Sequence, residues 1–447
     1  MIRAITENFK SMTNKYLSKR SLNAVWHPCT QMKHHEKSPL ISIAKGEGVW
    51  LYDFDNKRYL DAISSWWANL FGHANPHINA AIYDQLNKLE HVMLAGLTHE
   101  PVVELSERLS KLAPSNLGHC FYASDGASAI EIALKMSFHY WLNTDRPKKN
   151  GFITLQRSYH GETLGALSIT DIRLFKGIYT PLLYRSKQID TPDWRNAEKG
   201  ESPQDYALRV ADKLERYLEK SHAKTAALIV EPLVQCAAGM GMYHPDYLKL
   251  VRGICDKYEV HLIADEIAVG FGRTGTLFAC EQANITPDFL CLAKGLSGGY
   301  LPLSVVMTTD NVYQAFYHDK ITRGFLHSHT HSGNALACRA ALATLDIFEW
   351  DKTIAKNRIK ARYLNQLTQS LISHSKIRNF RNCGMIWAFE VETKDPAFAE
   401  KFFQTAMKQG LLLRPLGNTV YFMPPYVIND QEMHFLIEGT IKTLNSC

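Results

Sequence analysis

Along most of the chain, short continuous apolar runs alternate with longer stretches whose apolar positions recur every three or four residues. The runs at 151–155, 226–230, 260–264, 289–292 and 303–308 read as fully buried strands, and the periodic stretches at 78–94, 101–112 and 127–141 read as helices. Continuous apolar strands separated by helices predict a mostly parallel sheet covered on both faces. Upstream, residues 46–65 show strand-like spacing around a bend at Asp55-Asn56. Downstream of Ser332 a long helical pattern runs to about residue 373, and the tail mixes strands at 386–392 and 420–423 with helices. The pattern predicts an α/β fold with a large domain over 76–335. A small α+β domain would combine 1–75 with 336–447.

Composition narrows the class without choosing a chemistry. With 447 residues, 46% hydrophobic and 21% charged, the chain can bury a large core, which excludes disordered and low-complexity classes. The net charge of +6 is spread out, so neither a nucleic acid nor a membrane surface is expected as partner. No apolar stretch approaches the roughly 18 residues of a transmembrane helix. The basic start, MIRAITENFKSMTNKYLSKR, lacks the apolar core of a secretory leader and reads as an arm. The nine cysteines form no CxxC pair, as in a reducing, cytoplasmic setting.

Two polar residues stand at the carboxyl ends of predicted strands: Asp265 in VHLIADEIAVGFGRTG and Lys294 in DFLCLAKGLSGG. Ligands of open α/β sheets bind outside those ends. A lysine there can form a Schiff base with an aldehyde, and an aspartate beside it can hold a pyridine nitrogen protonated. A structural Asp–Lys ion pair fits the same two residues. Ser124-Asp125-Gly126 forms a turn before a helix, suited to a phosphate or, with Asp125 as N-cap, to the helix alone. Tyr159 follows another strand end and could stack on a flat ring. His327, His329 and His331 alternate, as for a metal site, or could form a loop beside an anionic ligand. Arg414 suits a carboxylate or a solvated strand end, and Trp66-Trp67 a pocket wall or core.

Taken together, DEIAVGFGRTG and LAKGLSGG resemble the class III pyridoxal-phosphate aminotransferases, which share the fold-type-I, aspartate-aminotransferase-like architecture. WHPCTQM, SSWWANLFGHANP, HVMLAGLTHEP, EPLVQCAAGMGMYHP and RPLGNTVYFMPPY resemble the branch of that family that serves biotin synthesis, from about Trp26 to the C-terminus. The resemblance implies a homodimer with shared active sites and pyridoxal 5'-phosphate as cofactor. It also implies S-adenosylmethionine as amino donor and 8-amino-7-oxononanoate as acceptor. Lys294 then matches the Schiff-base lysine, Asp265 the partner of the ring nitrogen, and Tyr159 the stacking aromatic that also faces substrate. Asp125-Gly126 matches the phosphate turn, and His329-Thr330 the stretch by which the neighbouring subunit reaches the phosphate. Ser328, Trp66, Arg414, Arg273 and Tyr421 match the substrate region. Under this reading no metal ion is expected. A metal-dependent hydrolase using the His run is the remote alternative, and another ω-amino acid, diamine or lysine-donor aminotransferase the nearer one.

Three departures from the family pattern bear on the site. Asp125-Gly126-Ala127 replaces Ser-Gly-Ser/Thr, which loses two hydroxyl donors and brings a carboxylate near the phosphate unless Asp125 turns away to cap the helix. Ser328-His329-Thr330 replaces Gly-Pro-Thr. Cys29 stands where relatives carry an aromatic facing the substrate, so donor handling is the property most exposed to change.

Overall fold

The computed structural model describes residues 13–115 and 117–447; the first part of the basic arm lies outside them. The described part of the arm is ordered. Asn14–Ala24 is a helix capped by Thr13, and Asn14 and Ser18 bond it to Asp55, Leu40 and Ser42.

The strands in chain order are β1 (Ile43–Glu47), β2 (Trp50–Asp53), β3 (Arg58–Asp61), β4 (Leu117–Ala123), β5 (Gly151–Leu155), β6 (Lys187–Ile189), β7 (Thr225–Val230), β8 (Val234–Gln235), β9 (Gly241–Met242), β10 (His261–Asp265), β11 (Phe289–Leu292), β12 (Ser304–Thr309), β13 (Ile377–Cys383), β14 (Ile386–Val391), β15 (Leu411–Leu412) and β16 (Thr419–Phe422). Seven of them form the central sheet, in the order β4-β12-β11-β10-β7-β5-β6. Its β6, β5, β7, β10 and β11 run parallel, whereas β12 is antiparallel to both neighbours. Every residue of β7, β10 and β11 is buried, as their continuous apolar runs require. Alternate residues face opposite layers: Ala227, Ile229 and Ile263 pack with Ala129, Ile130 and Ala133 of the helix Gly126–Asn143, while Leu228, Val230 and Leu262 join the core on the other face.

Two smaller sheets draw on the chain ends. β15 pairs in parallel with β3, so the N-terminal meander β1-β2-β3 is completed by a strand from the other end of the chain. β13, β14 and β16 form the third sheet. The long helical pattern after Ser332 is broken into Ala335–Trp350, Thr353–Leu367 and Gln369–Ile372, with Lys352 in a left-handed conformation (φ 49°) at the first break. The helix predicted at 78–94 spans only Pro76–Leu86, because Asn87 and Lys88 close it with turn hydrogen bonds.

Candidate active site

A cavity of about 500 Å³ opens at the carboxyl ends of the parallel strands, and it is lined by Asp265, Lys294, Tyr159, Asp125, Gly126 and Trp67, among others. Asp265 is the last residue of β10 and is buried. Its Oδ1 accepts from the Ile267 N–H at 3.1 Å, and its Oδ2 lies 2.7 Å from Nδ1 of His160. Lys294 follows β11 by two residues with a strained left-handed backbone (φ 35°) that turns its side chain into the cavity. Among the described residues it makes no ion pair with Asp265; its Nζ lies 5.1 Å from the Trp67 ring. The purely structural ion pair is therefore absent. Burial pushes the Lys294 ammonium below its ordinary value, and Asp265, Cys236 and Glu231 pull it partly back.

The Ser124-Asp125-Gly126 turn keeps its carboxylate on the helix that follows. Asp125 caps the helix Gly126–Asn143: its carboxylate accepts from the Ser128 N–H at 2.9 Å and the Ser128 hydroxyl at 2.8 Å. The acid therefore serves the turn, and among the described residues the amides of Gly126 and Ala127 have no partner at the positive end of an 18-residue helix. A Cβ on Gly126 would stand 3.0 Å from the Ile267 side chain, which would have to give way. Gly161 (φ 124°) presses the Tyr159 loop onto the same helix start, where a Cβ would meet that of Ala127 at 2.6 Å.

Tyr159 is half-buried on the cavity wall. Its amide donates to Glu231 Oε1 at 2.9 Å, and its hydroxyl to Glu162 Oε1 at 2.9 Å. Burial and then the Glu162 carboxylate raise its phenol above the ordinary value. Glu231, just past β7, is buried and raised to about 7 chiefly by desolvation, while its two oxygens accept from the Tyr159 and Cys236 amides. His160 and Glu231 are the site residues to which the sequence reading gave no role. His160 follows Tyr159 in the chain and Glu231 opens EPLVQ, but only the strand order brings them to Asp265.

A second cavity, of about 810 Å³, lies on the other side of Trp66-Trp67 and is lined by Trp66, Arg414, Cys29, His27 and His35, among others. The partition between the two cavities is a left-handed turn: Ser64, Ser65, Trp66 and Trp67 all have positive φ, from 46° to 75°. Such a run in four side-chain-bearing residues costs on the order of 1 kcal/mol each and persists only when its surroundings enforce it. Asp61 does so, accepting from the Ser65 amide at 2.9 Å and the Ser65 hydroxyl at 2.7 Å. Ser64 donates to the Met423 carbonyl at 2.7 Å and Trp67 Nε1 to the Tyr421 hydroxyl at 3.1 Å. Trp66 faces the outer cavity, where the Arg414 guanidinium sits 5.0 Å from its ring and Arg414 Nη2 donates to the Cys29 carbonyl at 3.2 Å.

Two residues that the resemblance assigns to the substrate region, Arg273 and Tyr421, stand behind the partition. Arg273 lines neither cavity. Fully buried, it donates to the carbonyls of Met423, Pro424, Trp67 and Asn69, and so clamps the tryptophan turn to the strand beyond Tyr421. Tyr421 is likewise buried behind Trp67, with its hydroxyl occupied by the indole. Both shape the partition without reaching either chamber. Ser328, His329 and Thr330 also lie off this chain's own cavity, with Ser328 and Thr330 exposed. The alternating histidines do not converge: His327 and His329 face each other at 2.9 Å, His327 Nδ1 lies 2.8 Å from Lys135, and His331 packs on His91. Among the described residues no three His, Cys, Asp or Glu side chains come together as a metal site.

A lysine and an aspartate at neighbouring strand ends, facing a helix N-terminus across a cavity, define a fold-type-I aminotransferase site, and residues 31–444 match the family model "Aminotransferase class-III". The chain belongs to that family, its enzymes are aminotransferases, and its cofactor is pyridoxal phosphate. It is 45% identical over 437 residues to the adenosylmethionine-8-amino-7-oxononanoate aminotransferase of Helicobacter pylori, covering 96% of this chain and 98% of that one. It is 40% identical to the enzyme of the same name from Geobacter sulfurreducens, over 94% and 96% of the two chains. The crystal structure of the Methanocaldococcus jannaschii enzyme of that name superposes with a TM-score of 0.91 at 32% identity, covering 97% of this chain and 99% of that one. An omega transaminase from Pseudomonas jessenii, solved with PMP, reaches the same TM-score at 27% identity, over 96% and 98%.

Proposed function

We propose that this aminotransferase moves the amino group of S-adenosylmethionine to 8-amino-7-oxononanoate, giving 7,8-diaminononanoate in biotin synthesis. The names of its relatives support the reading. The observation that carries it is the pair of chambers divided by Trp66-Trp67, with one placed cation, Arg414, in the outer one. A long carboxylate-ended acceptor fits that plan: its reacting end lies in the inner chamber and its carboxylate meets Arg414 beyond the partition. A diamine donor would give Arg414 nothing to bind.

Bound pyridoxal phosphate supplies an aldehyde that takes up amines and a pyridinium ring that draws off carbanion charge. The free amides of Gly126 and Ala127 would hold its phosphate, Tyr159 would wall its ring, and Asp265 would keep a proton on its ring nitrogen. Lys294, whose amine burial favours in the neutral form, would take the proton from the substrate carbon and deliver it to the cofactor's former aldehyde carbon. The Trp67 ring stands 5.1 Å from that amine. Asp125 keeps the phosphate turn in shape by capping its helix.

The same reading makes the enzyme a cytoplasmic homodimer, in which Ser328, His329 and Thr330 serve the neighbouring subunit's site. The exposure of Ser328 and Thr330, and the free state of all nine cysteines, support that arrangement. No helix among the described residues is long and apolar enough to cross a membrane. The test is a donor panel against purified enzyme with 8-amino-7-oxononanoate: S-adenosylmethionine is expected to support product formation. Turnover with lysine alone would move the enzyme to the lysine-donor reading that Cys29 invites.

A further inference from the structure

The helix Thr353–Leu367 turns Thr353, Asn357, Ala361 and Leu364 inward, so its sequence puts an amide where an apolar side chain would normally pack. Asn357 is 2% exposed, yet its Nδ2 has no hydrogen-bond partner. A buried amide left so is costly unless an acceptor reaches it. Asn357 lines a further cavity, of about 270 Å³, which shares no lining residue with either chamber. The opposite wall is close-packed. The Met385 amide donates to the Arg273 carbonyl at 2.8 Å, and a Cβ on Gly384 (φ 57°) would collide with the backbone of Thr274 and Gly275.

The other amides of this cavity are committed. Asn365 donates to Asn382 Oδ1 at 3.1 Å and accepts from Trp387 Nε1 at 2.6 Å, while Asn382 Nδ2 donates to the Gly384 and Ile386 carbonyls, both at 2.9 Å. The open donors are Asn357 and two arginines one helical turn apart. Arg358 gives its Nε to the Gly275 carbonyl at 3.1 Å, and Arg362 donates to no described residue. No acid lines the cavity, and neither arginine pairs with a carboxylate among the described residues, although Lys356 on the same helix pairs with Asp351. Arg358 acts on Glu281 only from a distance, and that carboxylate accepts from the Phe278 amide at 2.7 Å. Two like charges at i and i+4 repel unless an anion stands between them. We infer that this cavity is a phosphate site, in which Arg358 and Arg362 neutralise a dianion and the Asn357 amide donates to one of its oxygens. A carboxylate would leave one of the two cations unmatched, whereas a phosphate brings nearly two charges and three acceptor oxygens. The volume leaves room for the carbon part of a small phosphomonoester, so free and esterified phosphate share the chemistry. The site lies outside the proposed reaction and stands or falls without it.

The test is calorimetric titration of holoenzyme, its cofactor sites filled, with inorganic phosphate, glycerol phosphate and acetate at equal ionic strength. Phosphate is expected to bind in addition to the cofactor, and acetate about tenfold or more weakly. Replacing both arginines, Arg358→Gln with Arg362→Gln, changes two exposed positions and is expected to weaken phosphate by about tenfold or more, the size of a lost charge-assisted hydrogen bond. Asn357→Leu is expected to weaken it too, while the Tm measured without phosphate holds or rises, because an unpaired buried amide is gone. If Asn357→Leu does not fold, the arginine variant decides. A wild type that binds no phosphate, or an arginine variant that binds it as wild type does, overturns the inference. Acetate binding as tight as phosphate overturns the choice of phosphate, and unchanged phosphate binding in Asn357→Leu overturns the part given to that amide. Either order of inorganic and glycerol phosphate supports the site, and the tighter of the two names the source of its occupant.

Discussion

The two chambers on either side of Trp66-Trp67 solve different problems with different physics. In the inner one, polar groups are buried and their orientations are fixed in advance: Asp265 has both oxygens bonded, Glu231 has both oxygens on amides, and Lys294 is forced inward by its own backbone. In the outer one, Arg414 is exposed, bonded to a single carbonyl and backed by an indole. Electrostatics inside a low-dielectric pocket is strong and unforgiving of misplacement, whereas an exposed guanidinium contributes mainly recognition. On the proposed function, the comparison makes reaction and selectivity separable, with the tryptophan turn as the divider.

That separation can be broken at graded cost. The largest effect is expected from Lys294→Ala, which removes the proton carrier: turnover should fall by at least about a thousandfold and the visible absorbance of the cofactor–lysine linkage should vanish. Spectra and rates of the purified variant check both. Asp265→Asn should come next, with cofactor retained and kcat lowered by about a hundredfold or more, because the ring nitrogen loses its charge partner. Stopped-flow traces of the donor half-reaction would reveal a spared rate if the role is wrong. Arg414→Ala should act only outside. The acceptor KM should rise about tenfold or more while the donor half-reaction stays near wild type, a split that inner-chamber variants cannot give.

Much of this arrangement was legible in the sequence, for a physical reason. Strands buried on both faces read as unbroken apolar runs, so β5, β7, β10 and β11 stood out, and Asp265 and Lys294 stood out with them as the polar residues at their ends. β6 and β13 did not, since KQI and IRNFRNC lie at sheet edges and are mixed in polarity. His160 and Glu231 were hidden because their partners lie 105 and 72 residues away, at Asp265 and Tyr159, and only the strand order joins them. The surroundings of Arg273 were hidden for the same reason, since its four carbonyl acceptors come from two distant segments.

The smallest expected effect lies away from both chambers and calibrates them. His261, buried beneath the sheet against Trp141 and 2.9 Å from the Ser137 hydroxyl, is lowered to about 4 by desolvation. The folded state then binds fewer protons than the unfolded state between about pH 4 and 6.5, so this residue's contribution is complete above 6.5 and is lost as pH falls toward 4. His261→Phe should flatten that acid limb of a Tm-versus-pH curve while leaving the pH profile of kcat unchanged. A shift in the activity profile would show that the two regions are coupled.

The most direct test of the central claim is the donor half-reaction followed by absorbance with no acceptor present. S-adenosylmethionine should convert the bound cofactor to its aminated form in wild type, at a rate that collapses in Lys294→Ala and survives in Arg414→Ala. Conversion by lysine or a diamine but not by S-adenosylmethionine, or a rate that falls equally in both variants, would contradict the account.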